Sequence, residues 1–263
     1  MARGIVVPET IDYPDSDGLP MAESESQFWP ILYVGSAFDR YYQDRDDVYV
    51  VGNLLVYYQQ GDGSKSVSPD LMVVLGAPKH VRSSYRIWEE PKAPDFVLEI
   101  ASESTYRADR GEKRDTYAAM GVVEYWQYDP VGSYLDPPLL GFRLVEGRYV
   151  PIPAVAREGG LLVVRSEVLG LELHLSPGAP VREALHFYDA VRAEYLRTYR
   201  EADRAREEAE RGRDEEAQAR REAEGRLGQT EGELRQTQDR LREEQAARQA
   251  LEDELRELRR RGR

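Results

Sequence analysis

The sequence predicts a mixed α/β domain followed by a long helical tail, on three observations. Short β-branched and aromatic runs, separated by turn signals, recur through most of the chain as strands do. Residues 24–41 and 107–120 read as helices between those runs. From Arg197 onward there is no proline and no aromatic residue except Tyr199, whereas all three tryptophans lie earlier. Ala, Glu, Arg, Gln and Leu dominate that last stretch, and they are strong helix formers.

In order, Ser24 and Gln27 have the spacing of a capping box, and Phe28, Ile31, Leu32, Phe38 and Tyr41 follow at helical intervals, with Pro30 and Gly35 weakening the pattern. Strands are predicted at 48–51, 54–58 and 71–74, separated by Gly52-Asn53 and by the turn-rich segment 61–69. The apolar run 96–101 is a fourth strand. The helix over 107–120 ends at Gly121 as its C-terminal cap, and 122–128 is the next strand. Short strands fill 134–176, with Gly147 in a hairpin between Leu144 and Tyr149, and 180–199 leads into the helical tail. The expected organisation is an extension over 1–23, a domain over 24–196 and a tail over 197–263.

Composition narrows the function. The chain has 263 residues, of which 41% are hydrophobic and 32% charged, and a net charge of -13. No segment approaches the ~20 apolar residues that span a bilayer, and the N-terminus has no secretory apolar region, so a cytoplasmic location is expected. With no cysteine, disulfides, thiolate zinc sites and cysteine nucleophiles are excluded, leaving oxygen and nitrogen ligands. His80, His174 and His186 have no metal-ligand spacing, and the glycines form no phosphate-cradling loop. Acidic and basic residues nearly balance in the tail, so the domain carries almost all the negative charge. That charge opposes nucleic-acid binding at long range, although screening beyond ~8–10 Å lets a local basic face act. The cluster Lys79, His80, Arg82 and Arg86, close to Trp88, is the candidate DNA-contacting loop.

The tail's leucines suggest a partner. Leu227, Leu234, Leu241 and Leu255 keep a seven-residue spacing with Arg248 in the missing place. Leu251 and Leu258 add a second seam only near the end, where Thr230, Thr237 and Glu244 stand earlier. A homo-oligomer formed through 227–258 is expected. The alternative is a solvated single helix frayed at Gly212, Gly225, Gly228 and Gly232, and over 197–224 the two readings stand level.

Glu99 is the most informative residue. In the run 96–101, Leu98 and Ile100 point to one face while Val97, Glu99 and Ala101 point to the other, and both faces look buried. A buried lone carboxylate is expensive, so it needs a cation, a hydrogen-bond network or a raised pKa. A salt bridge to Arg110 or Arg114 is one explanation; a functional site is the other. Two candidates for a second, converging carboxylate follow prolines, Asp70 and Asp95. Asp95 lies four residues from Glu99 on the same strand, ~13 Å away, too far to share an ion, and reads as a strand-entry residue. Asp70 opens a different strand, which a spacing of ~4.8 Å can bring beside Glu99. Asp109, Lys113 and Tyr117 share one helix face. Phosphodiester hydrolysis needs a metal to polarise the phosphoryl oxygen, carboxylates to hold it and a cation near the attacking water. Asp70, Glu99 and Lys113 would supply those parts.

The segments PDLMVV, PDFVLEIASEST with Asp109, Lys113 and Tyr117 behind it, and GVVEYWQYDP together resemble the Uma2 family of restriction-endonuclease-like proteins in the PD-(D/E)xK nuclease superfamily. The resemblance spans roughly 47–130 and extends by arrangement to 169–173. It implies an αβββαβ core with added C-terminal strands, Mg²⁺-dependent (or Mn²⁺-dependent) hydrolysis, and DNA as substrate. It implies that Asp70 and Glu99 are metal carboxylates and that the Ile100 carbonyl is a further ligand. The lysine of the motif is replaced by Ala101, and the resemblance implies that Lys113 takes its place. Ser102, Ser104 and Thr105 match a serine-rich turn whose expected work is turn hydrogen bonding. Two non-enzymatic readings remain beside the endonuclease: an inactive nuclease-fold binding module, and an assembly protein acting through its tail.

Overall fold

The computed structural model describes residues 13–14 and 24–261, so the expected extension over 1–23 lies almost wholly outside the described residues. The chain divides into two units, Met1–Glu201 and Ala202–Arg263. The first begins with helix α1 (Glu25–Tyr41), where the Ser24 N–H donates to Gln27 Oε1 at 3.4 Å as a capping box requires. Pro30 sits inside this helix, and Val34, Ala37 and Phe38 are fully buried, so packing outweighs the helix-breaking tendency of Pro30.

Strands β1 (Val48–Val51), β2 (Val56–Tyr57), β3 (Ser66–Val67), β4 (Leu71–Leu75), β5 (Tyr85–Arg86) and β6 (Phe96–Ile100) follow. Helices α2 (Tyr106–Arg110) and α3 (Glu112–Met120) lead to β7 (Glu124–Tyr128), β8 (Leu139–Val145) and β9 (Arg148–Pro151). The main sheet has the order β1-β4-β6-β7-β8-β9, with β6 and β7 parallel and the other pairs antiparallel. Thus α1, β1, β4, β6, α3 and β7 make the αβββαβ series. The strand expected at 54–58 is not part of it. Asn53 turns the chain with a φ of 53°, and β2 pairs instead with β3 and β5 in a separate small sheet.

The sheet is buried on both faces. Leu71, Val73, Phe96, Leu98 and Ile100 pack with α1 in one apolar cluster, and Met72, Val74, Val97 and Tyr125 pack with Tyr117 of α3 in the other. That alternation sets Glu99 on the α3 face, as the period of two requires. The helix expected over 107–120 is broken at Gly111 (φ -119°, ψ -99°) into α2 and α3. Gly121 caps α3 with a φ of 84°, its N–H bonding to the Ala118 and Tyr117 carbonyls. Glu146 and Gly147, with φ of 49° and 77°, make the two-residue turn between β8 and β9.

A second sheet completes the unit: β10 (Ala154–Ala156), β11 (Leu162–Ser166), β12 (Leu171–Leu175), β13 (Leu185–Asp189) and β14 (Glu194–Tyr195), all antiparallel in sequence order, with the short helix α4 (Val181–Ala184) before β13. The tail helix therefore begins only at Tyr199, the end of the segment 180–199, most of which forms α4, β13 and β14. Leu185, Phe187 and Asp189 are buried while His186 and Tyr188 are half-buried, a period-two pattern that makes 185–189 a strand. Glu124, fully buried on β7, accepts from Ser166 Oγ at 2.6 Å and from the Glu167 N–H at 3.0 Å, which fastens this sheet to the first.

Helix α5 (Tyr199–Arg261) stays helical through all four glycines. Ion pairs four residues apart line it, such as Arg206–Glu210 at 2.9 Å and Arg220–Glu224 at 2.9 Å. Leu227, Leu234, Leu241 and Leu251 are each more than half exposed.

Candidate functional site

Strand register brings the two predicted carboxylates together. In β4 and β6, Leu71 stands opposite Leu98, and one further step along the same antiparallel register sets Asp70 opposite Glu99. Asp70 Oδ2 accepts the Ile100 N–H at 2.6 Å, which fixes its side chain at the end of β6. Gly52 makes room for this. A Cβ there would lie 2.7 Å from the Asp70 carbonyl oxygen, so a side chain would push the backbone that carries Asp70. Gly52→Ala is therefore expected to leave a folded protein whose site function falls at least tenfold, on the order of the loss that a 1 Å misplacement produces. Retained function at wild-type melting temperature would show that Asp70 tolerates displacement.

Glu99 is 1% exposed and is held from α3. Lys113 Nζ lies 3.0 Å from Oε2, and the Tyr117 hydroxyl donates to Oε1 at 2.6 Å. Lys113 also pairs with Asp109 Oδ1 at 3.1 Å. The residues expected on one helix face do converge, even across the break at Gly111, because Lys113 reaches back to Asp109. The salt-bridge alternative changes partner: Glu99 pairs with Lys113, not with Arg110 or Arg114.

Burial pushes the Glu99 carboxyl up to about 8, with Lys113 opposing and the Asp70 and Asp109 charges adding to the rise. Burial also raises Asp109. For Lys113, burial favours the neutral amine, but Glu99, Asp109 and Asp70 together outweigh it and hold the group above its ordinary range, hence charged. Burial, then the neighbouring Glu99, drives the Tyr117 hydroxyl far above its usual value, so it stays a donor. When Glu99 is ionised, the three carboxylates of the cluster outnumber its one lysine.

That imbalance, with an all-oxygen donor set, fits a hard divalent cation. Asp70, Glu99 and the Ile100 carbonyl are the oxygen donors that would hold it, and Mg²⁺ commonly takes only one or two protein carboxylates beside water. Among the described residues no group of three or more histidine, aspartate or glutamate side chains could hold a metal ion, so an ion here would rest on two carboxylates and a carbonyl. The Ile100 carbonyl already accepts Gln27 Nε2 at 3.3 Å, but a carbonyl oxygen has two lone pairs. Sequence reasoning gave Gln27 only a capping role. Its reach to β6 depends on where α1 packs, and its burial at a helical position was the one available sign.

Other expectations divide. Asp95 accepts the Leu75 N–H at 2.8 Å and pairs with Lys92 at 2.6 Å, a strand-entry role. Ser102 and Thr105 bond each other side chain to side chain at 2.9 Å, and each backbone N–H donates to the other's hydroxyl at 3.3 Å, a turn that starts α2. The basic loop is largely committed elsewhere. Arg82 is buried against Glu90 at 2.6 Å and over the Tyr49 ring at 4.1 Å, and Lys79 Nζ donates to the Tyr42 carbonyl at 2.6 Å. Beside the end of β6 lies instead a hollow of about 420 Å³ lined by Ser24, Ser26, Gln27, Ser102, Glu103, Ser104, Val131 and Tyr134, four hydroxyls of serine with one carboxylate among them.

No helix among the described residues is long and apolar enough to cross a membrane. No curated protein matches the chain. A solved structure titled "Crystal structure of a putative nuclease belonging to DUF820", from Anabaena variabilis, is similar at 18% identity and a TM-score of 0.42, over 60% of this chain and 80% of that one. Residues 19–176, more than half of the chain, match the family model described as "Uma2: Putative restriction endonuclease"; the chain belongs to the Uma2 family.

Proposed function

We propose that the protein is a Mg²⁺-dependent endonuclease that hydrolyses DNA phosphodiester bonds. The observation that carries this reading is that Asp70, whose Oδ2 accepts the Ile100 N–H at 2.6 Å, lies close enough for its charge to act on Glu99, with the Lys113 ammonium 3.0 Å from Glu99. Asp70, Glu99 and the Ile100 carbonyl would hold the ion, which when bound polarises the scissile phosphoryl oxygen. Mn²⁺ meets the same donor requirements. Tyr117 and Lys113 hold the Glu99 carboxylate in one orientation, and the Ile100 N–H holds Asp70. Lys113, kept charged by its carboxylates, stabilises negative charge on the phosphoryl group and orients the attacking water. Lys113 thereby takes the place of the lysine missing at Ala101.

DNA contact is proposed at the serine-lined hollow beside β6. Hydroxyls there can donate to phosphate oxygens in a domain of negative net charge. The Tyr106 and Tyr134 rings, stacked at 5.2 Å, stand next to it. The test is cleavage of supercoiled, linear and single-stranded DNA by the full chain with Mg²⁺ or Mn²⁺, beside Glu99→Gln. Metal-dependent products from wild type alone support the enzyme; binding without cleavage favours the inactive binding module.

The tail is proposed as the oligomerisation element, because its apolar seam is exposed in the single chain and strengthens toward the C-terminus. Removing 227–263 is expected to lower the association state, the mass in solution divided by the mass of one chain, while the domain keeps its melting transition. An unchanged association state by light scattering would count against self-association through this segment.

A further inference from the structure

Self-association through α5 leaves its direction open, and the charged residues of the seam decide it. The heptads put Leu227, Leu234, Leu241, Arg248 and Leu255 at one core position and Thr230, Thr237, Glu244, Leu251 and Leu258 at the other. A parallel, in-register pair sets each residue against its own copy. Glu244 then meets Glu244, and Arg248 meets Arg248 in the adjoining layer. Two like-charge layers in sequence at the centre of the seam oppose that arrangement.

An antiparallel pair matches the first core position of one helix with the second of the other. With the two-fold axis beside Ala246, Leu234 faces Leu258, Leu241 faces Leu251, Arg248 faces Glu244 and Leu255 faces Thr237. Each of these contacts occurs twice by symmetry. Both charges are paired, and each leucine from 234 to 258 meets an apolar side chain or a threonine. Thr237 Oγ1 already donates to the Glu233 carbonyl at 2.8 Å within its own helix, so its methyl can meet Leu255 without leaving the hydroxyl unsatisfied. The flanks agree, with Arg240 set beside Glu254 and Glu231 beside Arg259. Sliding by one heptad loses this. One way, Leu241 meets Glu244 and Arg248 meets Thr237; the other way, Leu255 meets Glu244 and Arg248 meets Leu251.

We infer that a second copy of this chain docks antiparallel along residues 234–258 of α5, in the register that pairs Arg248 with Glu244. The exposed Leu234, Leu241 and Leu251 are the contact surface, and the partner's chemistry is that of the same helix reversed. This inference is independent of the nuclease reading.

The absence of cysteine from the chain makes a clean test possible. Full-length Leu234→Cys, Leu258→Cys and the double variant are oxidised or treated with a short bis-maleimide, and the linked peptides are identified by mass. The double variant is expected to give a covalent dimer joined between position 234 of one chain and 258 of the other. Each single variant should stay unlinked, because its two cysteines lie about 36 Å apart along the axis. Links of 234 to 234 or 258 to 258 would show a parallel pair and overturn the inference, as would failure of the double variant to link. A second arm uses charge. Glu244→Arg and Arg248→Glu are each expected to weaken the dimer by about tenfold or more, and the double swap to restore it, with helix content by circular dichroism unchanged. Failure of the double swap to restore the dimer after both singles weaken it would also overturn the register.

Discussion

Without metal, Glu99→Gln is expected to melt at or above the wild-type temperature near pH 8, and to gain nothing when Mg²⁺ is added. Glu99 is buried and its carboxyl is pushed from 4.5 up to about 8. Between those values the native state keeps a proton that the unfolded chain has released, so this group makes stability fall as pH rises across the window. Glutamine has no such proton, and the variant lacks that slope. The removed cost is of the order of a few kcal/mol. That cost is already net of the Lys113 attraction, which opposes the rise of the Glu99 carboxyl. Lys113 keeps Asp109 at 3.1 Å and is not left without a counter-charge. The expected change is up to a few kcal/mol in the variant's favour, largest near pH 8. Wild type should respond to metal: an ion at about 100 times its Kd adds about 2.7 kcal/mol, or roughly 5–10 °C in Tm for a domain of this size. Asp70→Asn should lose the metal response too, since asparagine can still accept the Ile100 N–H but brings no charge. Calorimetric melts from pH 5 to 8.5, with and without Mg²⁺, check both variants. A Glu99→Gln protein destabilised by several kcal/mol, beside a wild type indifferent to metal, would make Glu99–Lys113 a structural pair and sink the metal assignment.

Lys113→Met should separate metal binding from turnover. The lysine stands on α3, touches Glu99 and Asp109, and its proposed work is at the water and the phosphoryl charge. Removing a preorganised charge of that kind costs about 10²–10³ in turnover. Metal binding should persist, because neither carboxylate is altered and one competing cation is gone. Titration calorimetry with Mg²⁺ and single-turnover cleavage together decide it. A variant that cleaves at the wild-type rate would remove Lys113 from the mechanism, and one that binds no metal would place it among the groups that build the ion site.

The sequence by itself determined much of this protein, wherever the information was local. Alternation in 96–101 set Glu99 against Leu98 and Ile100, because successive side chains on a strand take opposite faces. The spacing of Lys113 and Tyr117 set them on one face of α3, and Gly121 marked where the helix must stop. The heptads of the tail and the two-residue turn at Gly147 were legible for the same reason. What tertiary structure decided was non-local. Strand register alone placed Asp70 opposite Glu99, and no period in either segment encodes a register between them. Packing of α1 carried Gln27 to the Ile100 carbonyl, and the close approach of Gly52 to Asp70 depends on two segments meeting. The second predicted strand left the main sheet, and 185–189 became a strand instead of the tail's beginning, because each found burial against distant partners. Arg82 looked available for DNA in the sequence and is buried against Glu90 and Tyr49 in the fold, since a charge pattern shows which groups exist and not which are already paired.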